Sequence, residues 1–361
     1  MFDCIVKGGT LADGLGNKPE TGDVAIKDGR IAEVGGRING LAKRVIDADG
    51  ALVTPGWIDL HTHYDGHVSW DSEMAPSSHN GVTTVVMGNC GVGFAPVLEG
   101  QEKELIELME GVEDIPGSAL HEGMEWGKWE TFPEYLDYLE TREFSLDVGA
   151  QIAHGSLRYY AMGERGRLNQ DATEDDLSLM GKLVTEALDA GAVGFSTSRI
   201  IGHRSLWGEP VPGTFAPHQE VLAIAEAMKK SSKGVFQMIP AGTVGKLESL
   251  GGEKATQQEE HDLMVQVSMQ SGRPVTFTLV QSPDYDPETW REILELTEIA
   301  NDKGAKIYPQ VSSRPIGFLT GLSGYHAFMR RPTYLREVAH LPLQEKVAVM
   351  SRPEIRNAIL G

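Results

Sequence analysis

The sequence predicts an α/β protein in which a small N-terminal β domain precedes a TIM-like (β/α)8 barrel. Short β-rich runs separated by Gly and Asp fill the first 52 residues. From Ala51 onward, short apolar segments alternate with longer helical segments, which is the pattern of parallel βα units. Seven such units can be found, whereas flavodoxin-like and Rossmann folds usually need only about five or six.

Composition excludes several classes of protein. The 361 residues carry 32 Lys and Arg against 52 Asp and Glu, for a formal net charge of −20. Nucleic acid and anionic membranes would repel such a surface, so neither is expected as a partner. Cys4 and Cys90 cannot form a disulfide framework, which favours a reducing compartment. We expect a cytoplasmic protein, since neither a signal peptide nor a run of about 18 apolar residues is recognisable.

The N-terminal β domain is predicted over residues 1–52 as a sandwich-like unit. Asp28-Gly29 lies between two apolar runs and is a strong signal for a β-hairpin. The predicted strands are Phe2–Lys7, Asp23–Ile26, Ile31–Val34 and Val45–Asp47.

The barrel is predicted over residues 53–361. Most of its strands are short and apolar, as expected of strands covered on both faces. The seven predicted strands are Trp57–His61, Thr83–Met87, Asp147–Ala153, Ala192–Thr197, Gly234–Ile239, Pro274–Val280 and Lys306–Val311. The predicted helices between them are Gln101–Met109, Phe132–Glu140, Glu174–Ala190, Pro217–Ser231, Gln257–Gln270 and Pro287–Lys303.

No eighth strand is recognisable after the seventh. Residues 315–361 contain two helical candidates, Pro342–Ala348 and Pro353–Leu360. The barrel is therefore expected to be incomplete at its C-terminal end, with two unpaired strand edges. Because such edges promote association, we expect a homo-oligomer or aggregation.

Two histidines follow the first barrel strand, in Gly56-Trp57-Ile58-Asp59-Leu60-His61-Thr62-His63. Alternate residues of an extended chain share a face and lie roughly 6 to 7 Å apart, so His61 and His63 can converge on one cation. The carboxyl ends of barrel strands are also where active sites lie. The alternative is that both are polar residues satisfied by hydrogen bonds.

Cys90 follows the second barrel strand, in Gly88-Asn89-Cys90-Gly91. A cysteine thiolate is a good zinc ligand, and the neighbouring strand end carries the two histidines. The alternative is a buried structural cysteine.

Basic side chains follow the third and fourth strands, where they would face a substrate. An arginine binds a carboxylate through two hydrogen bonds, which suits an acidic substrate. The alternative is that they are solvated surface residues or structural histidines. The candidates for substrate binding are His154, Arg158, Arg199, His203 and Arg204.

These motifs resemble the amidohydrolase superfamily, and more narrowly its D-aminoacylase (N-acyl-D-amino-acid deacylase) branch. The resemblance rests on the N-terminal β domain, on residues 53–63 and on residues 88–91. Residues 153–158 are similar to the same branch. In that branch a cysteine after strand two replaces a metal-bridging carboxylated lysine. The resemblance covers nearly the whole chain, but only the first two-thirds of a typical member, so the chain is expected to be C-terminally truncated.

The resemblance implies a zinc site at His61, His63 and Cys90, with one ion expected rather than two. The branch also has a histidine ending strand five and another ending strand six, and at these positions this sequence has Gln237 and Gln281. The aspartate that follows strand eight in the family would lie beyond the last residue, which leaves the catalytic residue unknown.

The implied activity is metal-dependent hydrolysis of a non-peptide C–N amide bond. The substrate would be a small molecule, an N-acyl-D-amino acid or a related amide. One alternative is a non-catalytic or truncated homologue. A second is a cyclic-amide hydrolase of the dihydropyrimidinase type, although such enzymes have a strand-four lysine that residues 194–197 lack.

Overall fold

A computed structural model describes residues 1–281, 287–312, 321–322, 326, 328–329 and 331–360. The chain forms two compact units. The first contains Met1–Met87, Gly123–Glu125 and Asp137–Ala150, and the second contains the remaining residues. The predicted domain boundary between residues 52 and 53 stays a prediction.

The N-terminal sheet has five strands, in the order β3-β2-β1-β4 with β5 also paired to β1. Its strands are β1 (Phe2–Leu11), β2 (Glu20–Lys27), β3 (Arg30–Val34), β4 (Ala42–Asp47) and β5 (Leu52–Val53). Asp28 and Gly29 both have positive φ, at 52° and 70°, between the antiparallel strands β2 and β3. This is the backbone that a two-residue hairpin needs, and it confirms the Asp-Gly turn. Ile5, Ala25 and Ile38 form the small core of the sheet.

The second sheet has seven strands in the order β12-β11-β10-β9-β8-β7-β6, and every neighbouring pair is parallel. This confirms the predicted barrel-type sheet. Its strands are β6 (Trp57–Asp59), β7 (Val82–Met87), β8 (Asp147–Ala153), β9 (Gly194–Ser198), β10 (Val235–Ile239), β11 (Val275–Thr278) and β12 (Ile307–Gln310).

Helices follow most strands of this sheet. Those that precede the last strand are α1 (Glu102–Glu113), α2 (Gly117–Gly123), α3 (Phe132–Glu140), α4 (His154–Met162), α5 (Glu164–Arg167), α6 (Glu174–Ala190), α7 (His218–Ser231), α8 (Gln257–Ser271) and α9 (Thr289–Asp302). Short 3-10 helices span His67–Ser69, Ser78–Asn80 and Glu248–Leu250. In the described part of the chain, no helix has both the length and the apolar character needed to cross a membrane.

Local sequence explains where the long helices begin. Thr173 accepts a hydrogen bond from the backbone of Asp176, whose carboxylate accepts one from Thr173 N–H in return. Thr256 and Glu259 form the same reciprocal pair at the start of α8. A capping box of this kind satisfies two of the backbone N–H groups that a helix start leaves without partners.

His154 directly follows β8, as the sequence predicts, and is the first residue of α4. Arg158 therefore lies one helical turn beyond His154 on the same helix face, and not at the end of a strand.

The sheet ends at β6 on one side and at β12 on the other. Trp57 and Ile58 on β6 are 58% and 60% exposed. The described residues after β12 contain no further strand. They form α10 (Pro332–Glu337), α11 (Leu343–Met350) and α12 (Pro353–Leu360). Tyr334, Val338 and Ile359 make the buried core of this helical segment.

Candidate metal centre

His61 and His63 lie directly after β6 and are half-buried. Their ring centroids are 5.5 Å apart, and the ring planes are inclined by 59°. Thr62, between them, donates to the carbonyl oxygen of Val86 from its N–H at 3.0 Å and from its hydroxyl at 2.8 Å. These two hydrogen bonds attach the histidine segment to β7, so the imidazole pair is held by the sheet.

Cys90 lies in the loop Gly88–Gly91, called here the Cys90 loop, which follows β7 directly. Three of its residues have left-handed backbone: Gly88 at φ 76°, Cys90 at φ 56° and Gly91 at φ 69°. Glycine adopts this conformation without cost, but for cysteine it is strained and persists only where the surroundings enforce it. The Cys90 side chain is buried. A strained, buried cysteine beside a strand end is typical of a functional position.

His61, His63 and Cys90 each offer one ligand atom, and these atoms all lie within 4.8 Å of one another. A tetrahedral zinc ion with bonds of about 2.0 to 2.3 Å holds its ligands roughly 3.5 Å apart. Small side-chain adjustments would therefore close the group around an ion. Two imidazole nitrogens and a thiolate are also ligands that zinc prefers. The residues fit the metal, and metal binding itself stays a prediction.

The two glutamines at the strand-five and strand-six positions lie in different surroundings. Gln237 is buried on β10, and its Oε1 accepts a hydrogen bond from Cys90 N–H at 3.2 Å. Gln281 lies beyond the end of β11 and is exposed. Of the two, only Gln237 contacts the Cys90 loop in the described structure.

His154 and Arg158, predicted to bind substrate, are instead buried around Glu220 of α7. His154 Nε2 lies 2.8 Å from Glu220 Oε1, and its Nδ1 lies 2.8 Å from the hydroxyl of Thr197. The Arg158 guanidinium donates to the same carboxylate oxygen and to the backbone carbonyl of Gln170. With its charge matched by Glu220, Arg158 has no free guanidinium for a substrate, and we propose a structural role for both residues.

The electrostatics of this cluster are consistent with an ionised Glu220 and a neutral His154. Burial raises the pKa of Glu220, but the hydrogen bonds from His154 and Arg158 and the positive charge of Arg158 outweigh it and bring the value to about 2. Burial lowers the pKa of His154 in spite of Glu220. Because Nε2 faces a carboxylate, it carries the proton, and Nδ1 accepts from the Thr197 hydroxyl.

Arg199, another predicted substrate ligand, forms a second buried ion pair. Its Nε donates to both oxygens of Glu260 on α8, at 2.8 and 2.9 Å, and Nη1 donates to the Ala216 carbonyl at 2.8 Å. Glu260 also accepts from the N–H of Ala241, just after β10. The pair fixes the segments after β9 and β10 to α8, and a structural role follows for Arg199 as well.

His203 and Arg204 lie in the segment after β9. His203 Nδ1 is 2.9 Å from the hydroxyl of Ser198. Arg204 donates from Nε to the Ile201 carbonyl at 2.7 Å and from Nη1 to the Gly208 carbonyl. These bonds shape the loop, and substrate binding by either residue stays a prediction.

Sequence reasoning missed the two carboxylates, Glu220 and Glu260. A signal was available, because each acid lies on the buried face of its helix. Positions four and seven residues beyond Glu220 are Ile224 and Ala227, and both are buried. An acid at such a position needs a buried cation, and an arginine near a strand end is the natural partner.

Comparison with known proteins places these features in a family. Residues 44–360 match the model of the Amidohydrolase family. A D-aminoacylase from Alcaligenes xylosoxydans xylosoxydans is 33% identical over 196 residues, which is 54% of this chain and 37% of that protein. An N-acyl-D-aspartate deacylase from the same organism is 32% identical over 234 residues, which is 65% of this chain and 42% of that protein. The matches thus span less than half the length of these relatives.

Solved structures share the fold. A D-aminoacylase, in a structure concerned with the functional role of its binuclear metal center, is 26% identical with a TM-score of 0.67, over 86% of this chain and 58% of that one. An N-acyl-D-glutamate deacylase from Bordetella bronchiseptica, complexed with zinc and a phosphonate inhibitor, shares the fold with a TM-score of 0.68 and 24% identity, over 87% of this chain and 59% of that one. With the family model matched over residues 44–360, the chain belongs to the amidohydrolase family.

Proposed function

We propose that this chain is the metal-binding part of a hydrolase that cleaves a non-peptide C–N amide bond, with N-acyl-D-amino acids as the substrate class. The observation that supports it most is the convergence of two imidazoles and a thiol within 4.8 Å after neighbouring strands of a parallel sheet. The D-aminoacylase and N-acyl-D-aspartate deacylase among its relatives support the substrate class.

His61, His63 and Cys90 would hold one zinc ion. When bound, such an ion supplies Lewis-acid polarisation of an amide carbonyl and activation of water. The thiol must lose its proton and the imidazoles must be neutral to bind, so metal affinity falls as the pH is lowered. The two hydrogen bonds from Thr62 to Val86 and the left-handed Cys90 loop keep the three side chains in place. Holding them there limits the conformational entropy lost on metal binding.

A substrate of this class would carry a carboxylate, which needs a cation or hydrogen-bond donors. Arg158 and Arg199 form buried ion pairs with Glu220 and Glu260, respectively. The candidates that remain are His203 and Arg204, in the segment after β9. We therefore favour these two residues over the buried arginines for contact with the substrate.

The test is hydrolysis by the zinc-loaded full chain, measured as amine release from N-acetyl-D- and N-acetyl-L-amino acids. We expect release from the D-series, and we expect His63→Asn to abolish it because one of three metal ligands is lost. Cys4→Ser is the control, since Cys4 lies on β1 of the N-terminal sheet and is free. Equal release by His63→Asn and the unaltered protein would contradict the proposal.

A second candidate, a non-catalytic homologue, is favoured by one observation. Where the resemblance implies further histidine ligands, the chain has Gln237, which binds the Cys90 backbone, and the exposed Gln281. A neutral amide is a poor zinc ligand beside imidazole. Stoichiometric zinc without hydrolysis of any amide in the series would support this candidate over the enzyme.

A further inference from the structure

The Cys90 loop receives polar side chains from three successive strands. Gln151 on β8 donates from Nε2 to the side-chain oxygen of Asn89 at 2.8 Å. Ser196 on β9 contacts both glycines of the loop, and Gln237 on β10 contacts Cys90. All three side chains are buried. Buried polar side chains therefore surround this loop on the side of β8, β9 and β10.

The contacts of Ser196 fix the two ends of the loop. Its Oγ accepts from Gly91 N–H at 3.1 Å and donates to the Gly88 carbonyl oxygen. One hydroxyl thus ties together the residues on either side of Asn89 and Cys90. With both ends of the loop fixed, the hydrogen bond made by Cys90 N–H becomes important for the conformation of Cys90.

The partner in that hydrogen bond is Gln237. Its Oε1 accepts from Cys90 N–H at 3.2 Å, and the side chain is 1% exposed. Because Cys90 N–H is a donor, the Gln237 side chain must face it with Oε1, and Nε2 then points away from Cys90 N–H. Nε2 has no hydrogen-bond partner among the described residues. A buried donor without a partner is unfavourable. A methionine would fill a similar volume without this cost, so packing alone does not explain why the residue is a glutamine.

We propose that Gln237 is a positioning residue of the metal centre, which holds Cys90 in its left-handed conformation and so directs the thiolate toward His61 and His63. Without this acceptor, Cys90 N–H would lose its hydrogen bond to Gln237, and the strained φ of 56° would relax. The thiolate would then move away from the imidazole pair. This inference rests on the proposed zinc site, and it assigns to Gln237 on β10 the role of positioning the ligand Cys90.

The test compares three variants of the full chain by zinc affinity and by the thiolate-to-cobalt charge-transfer absorption after loading with Co²⁺. Gln237→Met fills the volume but removes the acceptor, and we expect an affinity about 10- to 100-fold weaker with a reduced charge-transfer band. Gln237→Glu keeps an acceptor oxygen and should bind more tightly than Gln237→Met. Gln270→Met is the control, because Gln270 on α8 donates to the Leu222 carbonyl at 3.1 Å.

The outcomes separate this inference from the proposed function. If the unaltered protein binds neither metal, both are overturned. If it binds and folded Gln237→Met binds equally well with an unchanged band, only the role of Gln237 is overturned. Equal losses in Gln237→Met and Gln237→Glu would also overturn it, since the acceptor would then be irrelevant. Should Gln237→Met not fold, Gln237→Asn withdraws the amide by one methylene and gives the same comparison.

Discussion

Replacing Glu220 by glutamine should destabilise the fold strongly, because it breaks a buried charge pair from one side. Glu220, Arg158 and His154 are 2%, 1% and 1% exposed, respectively. The substitution preserves the size of the side chain but leaves the Arg158 guanidinium as a buried charge with the Gln170 carbonyl as its other acceptor. Loss of one partner of a buried ion pair costs about 3 to 5 kcal/mol, and we expect a loss in this range.

Glu226→Gln on the same helix is the matched control. Glu226 pairs with Lys229 at 3.9 Å, and these side chains are 43% and 57% exposed. Such a surface pair contributes about 0 to 1 kcal/mol. The assay is urea unfolding at pH 7, followed by circular dichroism. If the free energy of unfolding of Glu220→Gln is within about 1 kcal/mol of that of Glu226→Gln, the buried pair does not stabilise the protein as described.

Three further predictions concern pH, the Cys90 loop and the sheet edge. Because the pKa of Glu220 is about 2 in the folded protein against 4.5 as its ordinary value, the unfolded chain binds the proton first as the pH falls. The urea midpoint should therefore drop between pH 4.5 and 2, and less so in Glu220→Gln. Gly88→Ala places Cβ 2.2 Å from the Gln151 carbonyl oxygen, whereas at Gly127, with φ of +82°, no atom lies within 4 Å. Gly127→Ala should lower the free energy of unfolding by about 1 to 2 kcal/mol, and Gly88→Ala should lower it by about 1 to 3 kcal/mol more. Equal losses would show that the Cys90 loop shifts to accommodate the methyl group. Exposed Trp57 on an edge strand should promote self-association, which Trp57→Lys weakens in sedimentation velocity; a monomer at all concentrations would contradict this.

The barrel-type sheet could be predicted because its signals are local. Helix α6 begins after Thr173 and ends before Gly191, as the sequence predicts, since a capping box and a glycine with positive φ define both ends. Strand β8 likewise has the predicted bounds, Asp147–Ala153. Alternation of apolar strands and capped helices gives the order of elements without knowledge of distant contacts.

The roles of the arginines could not be predicted in the same way. Arg158 and Glu220 are 62 residues apart in sequence, and Arg199 and Glu260 are 61 apart. Only the packing of helices against the sheet brings each pair together. From sequence alone, an arginine near a strand end could equally face a substrate or a buried carboxylate.

The metal centre could be predicted from the sequence only in part. The spacing of His61 and His63 predicts two imidazoles close to one another, and the position of Cys90 after the next strand predicts a thiol nearby. The support of Cys90 by Gln237 is not visible in the sequence, because these residues are 147 positions apart. It depends on how the interior side chains of β10 meet the Cys90 loop.

The zinc content of the purified full chain tests the central claim most directly. After dialysis against zinc and removal of loosely bound metal, elemental analysis should give about one zinc per chain. Cys90→Ser should lose most of it, because a hydroxyl is a much weaker ligand than a thiolate, while Cys4→Ser should retain it. A chain without zinc, or equal zinc in Cys90→Ser and the unaltered protein, would contradict the account.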